Sequence, residues 1–455
     1  MLRNLFRVGL LVIALLGGVS LHAQGEGALF GVVEGYYSPG DASALGVSWD
    51  RITFYWYNFQ PNSSADFDTN AVPQGNLDAD ISGGRRVVGL IKGTPAWAGN
   101  GNPAAVPTGV ELAYNDPGNV FGMFVTQLVS HYAPMGVHDW IIWNEPDIRP
   151  GEGTVEFAGE VEDYYPLLRT AYLAARAVDR NAHIQIAGTT WWHDANANRE
   201  PYLARLLRVI TDDPHAAANN HYFDGVTAHI YFTTSSVSHI LNSTQAILTN
   251  FGLRRKELWL AEFNASPRRD PNGGLSAPYN VSLEQQADFI VQTSALALAA
   301  DVERMAVYRL YDDNFVPGQS EPWGLVRADG SQRPAFGAYQ RVIQQFSGAK
   351  RVRVYRNEAA TLVTMKVGGN TVYVMWSDTF DGGEFLMKSA SGEITVQDAL
   401  GNAFPQSGRT IAAPGAERID VDSVVVSGAV RIVTLRGGPL TVTFRQPNGV
   451  ILSLN

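Results

Sequence analysis

Two glutamates follow short apolar runs, and their type and placement point to acid–base or nucleophilic chemistry. Glu145 lies in the run DWIIWNEP, which begins at Asp139, and Glu262 lies in ELWLAEFN, which begins at Glu257. Pro146 favours an extended backbone at Glu145, as at the end of a strand. A carboxylate that ends an apolar strand is costly unless it is paired or has a role.

Two carboxyl groups that face each other at about 5 Å can cleave an acetal, one as nucleophile and the other as acid/base. The nucleophile must be ionised, so we expect cationic or hydrogen-bonding neighbours around it. The acid must be protonated near neutral pH, a state that the second carboxylate favours. The alternative is that both glutamates are solvated loop residues, but their occurrence at two matching strand ends favours catalysis.

The residues next to the two glutamates determine which backbone geometry each strand needs for both side chains to reach one pocket. Asn144 and Glu145 are adjacent, so strict alternation would send their side chains to opposite faces. Both reach one pocket only if the strand end is bulged or twisted, as is common beside active sites. On the other strand, alternation places Leu258, Leu260 and Glu262 on one face and predicts that this face is inward.

The elements that would carry these residues alternate between strands and helices from residue 30 to about 345. Helical spacing at i, i+3 and i+4 starts at Phe121, Tyr165 and Ala287. Eight strands over about 300 residues predict a (β/α)8 barrel, here 29–347, with its active site at the C-terminal strand ends. A doubly wound open sheet is the alternative, but no Gly-rich phosphate loop follows the first strand. The predicted strands are Phe30–Val33, Arg51–Trp56, Arg86–Ile91, Asp139–Trp143, Ile184–Ala187, Gly225–Ile230, Glu257–Ala261 and Met305–Leu310.

After about Gly348 the helical spacing stops, and short β-rich runs are separated by Gly, Asp and Asn turns. This pattern predicts an antiparallel β-sandwich over 350–455. Its expected role is structural, against the barrel flank; carbohydrate binding is the alternative, although Trp376 is its only tryptophan.

The N-terminus resembles an export signal. Arg3 and Arg7 precede the apolar run Val8–Leu16, and Ala23 is suited to cleavage before Gln24. We therefore expect a signal peptide at residues 1–23 and a secreted, periplasmic or cell-surface protein without stable membrane insertion after its removal. An uncleaved anchor is the alternative.

The composition of the chain argues against several classes of partner and cofactor. The chain has 34 Lys and Arg against 44 Asp and Glu, a net charge of −10, and we predict no nucleic-acid-binding face. The absence of cysteine excludes disulfides, thiolate metal sites and a cysteine nucleophile. His221, His229 and His239 lack the spacing of a compact metal-ligand set, so we expect neither metal nor cofactor.

The run Trp143-Asn144-Glu145-Pro146 resembles the acid/base motif of the clan A glycoside hydrolases, and the segment 259–264 resembles their nucleophile strand. The segments 94–97 and 324–336 are similar to a sugar-lining loop and to the passage into the last barrel helix of that clan. The likeness spans most of 30–345 and is strongest to family 39, with families 5 and 30 also similar. It implies a retaining hydrolase of oligo- or polysaccharides that works by double displacement.

Residue by residue, the resemblance implies Glu145 as acid/base, Glu262 as nucleophile, and Asn144 as a partner of the sugar 2-hydroxyl. A non-catalytic polysaccharide-binding protein on the same scaffold is the alternative function.

The resemblance extends to the sixth and second strands. His229 and Tyr231 match a His-x-Tyr pattern of the clan, in which Tyr231 would hydrogen-bond Glu262. Arg51 matches an arginine near the nucleophile. The alternatives without a role in the site are a core histidine for His229 and a surface arginine for Arg51.

Where many clan members have a tryptophan at the end of the eighth strand, this chain has none, so Tyr311 or Trp323 would take its place under the sugar. Other tryptophans follow strands and are candidates to stack on sugar faces: Trp56, Trp97, Trp191 and Trp192. Of these, Trp97 lies in the quoted sugar-lining loop.

Overall fold

The computed structural model describes residues 28–272, 278–312, 322–389, 393–404, 410–420, 424–436 and 440–454. The predicted signal peptide, residues 1–23, lies outside them. Within these ranges, no helix combines the length and the apolar character needed to cross a membrane.

Eight parallel strands close into a barrel in chain order, which confirms the predicted fold class. The strands are β1 (Phe30–Val33), β2 (Trp49–Tyr55), β3 (Arg86–Lys92), β4 (Asp139–Ile142), β5 (His183–Thr189), β6 (Gly225–Tyr231), β7 (Glu257–Asn264) and β8 (Arg304–Val307). β2 begins two residues before its predicted start, and β8 ends at Val307 rather than at Leu310.

The helices around and between the strands are α1 (Pro39–Leu45), α2 (Trp56–Phe59), α3 (Gln74–Ser82), α4 (Val120–Tyr132), α5 (Val161–Val178), α6 (Trp192–Asn196), α7 (Tyr202–Asp212), α8 (Thr234–Asn250), α9 (Leu283–Ala299) and α10 (Pro334–Phe346). Their starts follow local chemistry. Ser282 and Gln285 form a reciprocal capping box at the start of α9. Pro334 occupies the first position of α10, where its missing N–H costs nothing.

Side chains rather than a channel fill the barrel interior. Trp49 lies against Trp259, with ring centroids 6.0 Å apart. A Cβ atom at residue 31 would lie 2.2 Å from the Trp49 ring, so glycine is required there. Truncation of a fully buried tryptophan such as Trp49 costs about 3–5 kcal/mol, so this packing fixes the strands that carry the site.

The C-terminal region forms a second set of sheets, as predicted. A five-stranded sheet has the order β13-β17-β11-β10-β9, a four-stranded sheet the order β14-β12-β18-β19, and β15 pairs with β16. These strands are β9 (Lys350–Arg356), β10 (Ala360–Val367), β11 (Asn370–Ser377), β12 (Gly383–Ser389), β13 (Glu393–Gln397), β14 (Thr410–Ala413), β15 (Glu417–Arg418), β16 (Val425–Val426), β17 (Arg431–Arg436), β18 (Leu440–Arg445) and β19 (Ile451–Ser453). Met375, Phe385 and Phe444 belong to the apolar core between the sheets.

Helix α9 joins the barrel to the C-terminal sheets. The Gln292 side-chain amide donates to the Gly428 carbonyl oxygen at 2.8 Å, and the Val430 N–H donates to Asp288 at 3.0 Å. Burial raises the pKa of Asp288 to about 7. Every residue of α9 from Gln286 to Leu298 is buried, so the helix is enclosed on all sides and its polar side chains need such partners.

Candidate active site

The end of β4 is irregular in the way that the adjacent Asn144 and Glu145 require. Trp143 and Glu145 have positive φ angles of 71° and 39°. The Trp143 N–H donates to the Ile91 carbonyl oxygen at 2.8 Å, and the Glu145 N–H donates to the Gly188 carbonyl oxygen at 3.0 Å. The segment therefore stays attached to β3 and β5 while its alternation is broken. Left-handed backbone costs about 1–2 kcal/mol per non-glycine residue, which the neighbouring strands must offset.

The predicted inward row on β7 is wrong for Leu258 and Leu260, although Glu262 does face inward, and the reason is a bulge. Trp259 and Ala261 belong to the cluster inside the barrel, whereas Leu258 and Leu260 pack with the outer core. Against β6, Ala228 pairs with Leu260 but the next residue pairs with Glu262, so Ala261 is an extra residue. The extra residue shifts the alternation by one and brings Glu262 inward.

The two glutamates meet at a histidine. A carboxylate oxygen of Glu145, one of Glu262 and a ring nitrogen of His229 all lie within 4.8 Å of one another. His229 Nδ1 lies 2.7 Å from Glu145 Oε1 and 3.5 Å from Glu262 Oε2. The side chain of Glu145 is 17% exposed and that of Glu262 is 6% exposed, so Glu145 is the more accessible of the two.

Glu262 is held as a carboxylate. Arg51 Nη2 lies 2.5 Å from its Oε1, and the Tyr231 hydroxyl donates to its Oε2. Burial acts to raise the pKa of Glu262, but the charges of Arg51 and His229 and the two hydrogen bonds outweigh it and lower the pKa. Burial raises the pKa of Tyr231 well above its usual value, which keeps the phenol a donor.

A glycine on β5 makes room for the ring of His229. A Cβ atom at residue 188 would lie 2.0 Å from His229 Nε2, so Gly188 lets the ring lie directly against β5. Burial acts to lower the pKa of His229, but the charge of Glu262 and the hydrogen bond to Glu145 raise it overall. The structure thus places the imidazole between the two carboxyl groups, with Nδ1 facing both.

Two buried polar groups beside the pair have unused hydrogen-bonding capacity among the described residues. These are Asn144 Oδ1 and, on Arg51, the Nε and Nη1 atoms. Buried polar atoms without partners are costly, and since Arg51 contacts Glu262 and Asn144 adjoins Glu145 in the chain, both are placed to bind a ligand beside the pair.

Of the two candidates to lie under the sugar, Trp323 is the one that the structure brings to the pair. Its ring lies edge-on to Tyr231, with centroids 5.0 Å apart, and 5.9 Å from Tyr308. Tyr311 lies further along the chain, where its hydroxyl donates to the Ala328 carbonyl oxygen at 3.0 Å. Asn264 donates to the carbonyl oxygens of both Tyr308 and Trp323, at 2.5 and 2.7 Å, and so holds these two segments together.

The other tryptophans proposed for stacking differ in exposure. Trp56 is fully buried and packs on Phe124, so it is a core residue. Trp97 is partly exposed and donates to the Gln60 carbonyl oxygen at 2.7 Å. Trp192 is 39% exposed.

Sequence reasoning missed Tyr308, Asn264, Gly188 and Asp147 as parts of this site. Asp147 Oδ2 accepts from the Thr190 N–H and hydroxyl, both at 2.8 Å, and from the Trp191 N–H at 3.1 Å. Burial raises the pKa of Asp147 to about 6, and the charge of Glu145 adds to this shift. A carboxylate two positions after Glu145 was a signal that could have found it.

The three side chains Glu145, His229 and Glu262 are also potential metal ligands. However, Arg51 already places a cation on one oxygen of Glu262, and Tyr231 occupies the other. A second cation would be repelled at that point, so the arrangement suits an ion pair and an organic substrate better than a metal.

Comparisons with known proteins bear on the fold. No protein-family model and no curated protein matches the sequence. Solved structures do match. One is a family 39 glycoside hydrolase from the gut symbiont Bacteroides cellulosilyticus WH2, with a TM-score of 0.64 and 14% identity over 90% of this chain and 81% of that chain.

A second match is a family 39 β-xylosidase from Caulobacter crescentus, with a TM-score of 0.57 and 15% identity over 91% of this chain and 97% of that chain. A third is the catalytic domain of a family 30 xylanase C from Talaromyces cellulolyticus, with a TM-score of 0.56 and 13% identity over 90% and 96%. The chain has the fold of the clan A glycoside hydrolases. The resemblance predicted from residues 143–146 and 259–264 is therefore confirmed at the level of the fold.

Proposed function

We propose that this chain is a retaining glycoside hydrolase that cleaves O-glycosidic bonds of an oligo- or polysaccharide by double displacement. The observation that carries the proposal is the separation of the two carboxyl groups, whose oxygens lie within 4.8 Å of each other. Retaining enzymes need about 5–5.5 Å between these groups, whereas inverting enzymes need about 6.5–9.5 Å to admit a water.

In the first step, an oxygen of Glu262 attacks the anomeric carbon while Glu145 gives its proton to the leaving oxygen, and a glycosyl–enzyme ester forms. In the second step, Glu145 takes a proton from water, the hydroxide oxygen attacks the same carbon, and Glu262 leaves as a carboxylate. The low pKa of Glu262 and the greater exposure of Glu145 support this division of roles.

The unpartnered atoms support sugar binding at the same point. The side-chain amide of Asn144 would hydrogen-bond the 2-hydroxyl, a contact that strengthens as the oxocarbenium develops. Trp323 would cover an apolar face of the ring, as aromatic side chains do in sugar sites. Export, through the predicted signal peptide, would bring the enzyme to an extracellular or periplasmic glycan.

The test is a panel of aryl β-glycosides, with the β-xyloside first because two neighbours are named as a xylosidase and a xylanase. Proton NMR during the first minutes should show a product with the configuration of the substrate. A product of inverted configuration would overturn double displacement. Polysaccharide binding without turnover of any glycoside would favour the non-catalytic alternative.

A further inference from the structure

The five-stranded C-terminal sheet is strongly basic, although the chain as a whole carries a net charge of −10. Its strands contain seven Lys and Arg residues, and Glu393 is their only carboxylate. Four of the seven lie on β9, whose sequence is KRVRVYR and which forms one edge of the sheet. The sheet therefore carries charge of the opposite sign to the rest of the protein.

The cations of β9 are available to a ligand. Lys350, Arg351, Arg353 and Arg356 are all exposed. Lys366 on β10 is also exposed, and it pairs directly opposite Lys350. We name these five residues the basic edge. Among the described residues, no carboxylate lies within 4.0 Å of the charged groups of Arg351 or Arg353.

Edge protection explains only part of this pattern. Charged side chains on an edge strand prevent it from pairing with another chain. Lys366, however, is not on the edge strand, and two like charges directly opposite each other in a sheet are destabilising. An anionic ligand would reverse that cost, because it would neutralise both charges at once.

We propose that the basic edge binds an anionic polysaccharide and so holds a polymeric substrate beside the barrel. This inference rests on the proposed function, which supplies the reason for a glycan. A bulge interrupts β9 near Arg351, and alternation puts Arg356 on the opposite face from Arg353. The four cations nevertheless span about 20 Å along this edge of the sheet, a length that suits a linear polymer with regularly spaced carboxylates or sulfates. The surrounding negative charge would confine such a polymer to the sheet.

The neighbours of the cations disfavour other polyanions. Val352 and Val354 pack against the barrel-side core, so they are not free to insert into a membrane interface. Tyr355 packs against the core of the C-terminal sheets and offers no platform for nucleobases.

The experiment is affinity electrophoresis of the full chain in gels that contain polygalacturonate, dextran sulfate or neutral xylan, at low and high NaCl. The polyuronate and sulfate gels distinguish the two anionic groups. Retardation by at least one anionic polymer, lost at high salt and absent in neutral xylan, is the expected result.

A matched pair of variants locates the site. Arg351→Gln/Arg353→Gln should weaken binding on the order of tenfold at low salt, since two point contacts with the polyanion are lost. Arg254→Gln/Arg255→Gln removes two exposed arginines from the loop before β7 and should leave binding unchanged. Both variants should hydrolyse a small aryl glycoside at the wild-type rate.

Three results would overturn the inference: no retardation of the wild type, equal loss in the two variants, or equally tight binding of a DNA duplex or phosphatidylserine vesicles. Binding is measured without turnover, so its failure is distinguishable from failure of the proposed function. If the protein is an active glycosidase but binds neither anionic polymer, the proposed role of the basic edge is refuted and the proposed function is not.

Discussion

The ends of β4 and β7 both present a glutamate to the same point, but they hold it in different ways. Glu262 is nearly fully buried between an arginine and a tyrosine hydroxyl, with a histidine close by. Glu145 is more exposed, and His229 is the side chain that contacts it at hydrogen-bonding distance. The difference assigns the roles, because a nucleophile must be ionised whereas an acid/base must gain and lose a proton during each turnover.

The backbone produces this difference. At β4 the side chains are re-aimed by two left-handed residues beyond the strand, and the side chain of Glu145 is left 17% exposed. At β7 the extra residue Ala261 lies within the strand, so Glu262 stays enclosed by β6 and β2 side chains. The left-handed residues after β4 therefore leave Glu145 partly exposed, whereas the bulge within β7 leaves Glu262 enclosed.

The largest effect should come from removal of the enclosed carboxylate. Glu262→Ala should lower kcat on every aryl glycoside by about 10⁴-fold or more, since the covalent intermediate cannot form. Added azide should give no product of retained configuration. Because the variant leaves Arg51 buried without its partner, a thermal melt must show that the variant is folded. A folded variant with substantial turnover would contradict the assignment of Glu262 as nucleophile.

Glu145→Ala should have a smaller effect that depends on the substrate. With poor leaving groups kcat should fall about 10²–10⁴-fold, the range of general acid catalysis, whereas the first step should be spared with good leaving groups. Azide should restore turnover and yield a glycosyl azide of retained configuration. If the loss were the same for all leaving groups, the acid/base role would belong to another residue.

Arg51→Gln should change the pH dependence of the reaction, because Arg51 contacts Glu262. In the wild type Arg51 lowers the pKa of Glu262 against the effect of burial, so Glu262 remains ionised at acid pH. Without Arg51, burial raises this pKa, and the acidic limb of kcat/KM should move to higher pH by about 1–2 units.

The stability of the Arg51 variant should change in the same sense. A group with a depressed pKa contributes stability that is present at neutral pH and lost as the pH falls through its folded-state pKa. The wild type should therefore resist acid unfolding to a lower pH than Arg51→Gln. Arg86→Gln, at an exposed position that begins β3, is the control and should leave the acidic limb in place.

Sequence reasoning located both glutamates because each follows an apolar run long enough to predict a strand. It placed Glu262 inward by an alternation that the strand does not follow, since Leu258 and Leu260 pack with the outer core and the bulge at Ala261 depends on the register with β6 rather than on local sequence. It also extended the eighth strand to Leu310. Because β8 ends at Val307, Tyr308 meets Tyr231 and Tyr311 lies beyond the site.

The parts of the fold that were missed have similar causes. The strands β15 and β19 contain two and three residues, too few for an alternating pattern to be recognised. Trp323 belongs to no strand, and it reaches Tyr231 because Asn264 binds its carbonyl oxygen. Such positions follow from tertiary contacts, which no single-sequence pattern encodes.

The smallest effect that we predict tests whether His229 serves Glu145. Gly188→Ala would place a methyl group 2.0 Å from the present position of His229 Nε2, so the ring must move away from β5. Its contact with Glu145 is shorter than its contact with Glu262, at 2.7 against 3.5 Å, and the displacement should therefore alter the acid/base more than the nucleophile.

We expect Gly188→Ala to lower kcat/KM about tenfold on substrates with poor leaving groups and much less on those with good ones. Gly75→Ala, in α3 with nothing within 4 Å of the added methyl group, is the matched control and should change neither. A general loss of stability would slow all substrates alike, so the dependence on leaving group separates the two explanations. An equal loss across the series would mean that the ring supports Glu262 or the fold, and that Glu145 exchanges its proton without help from β6.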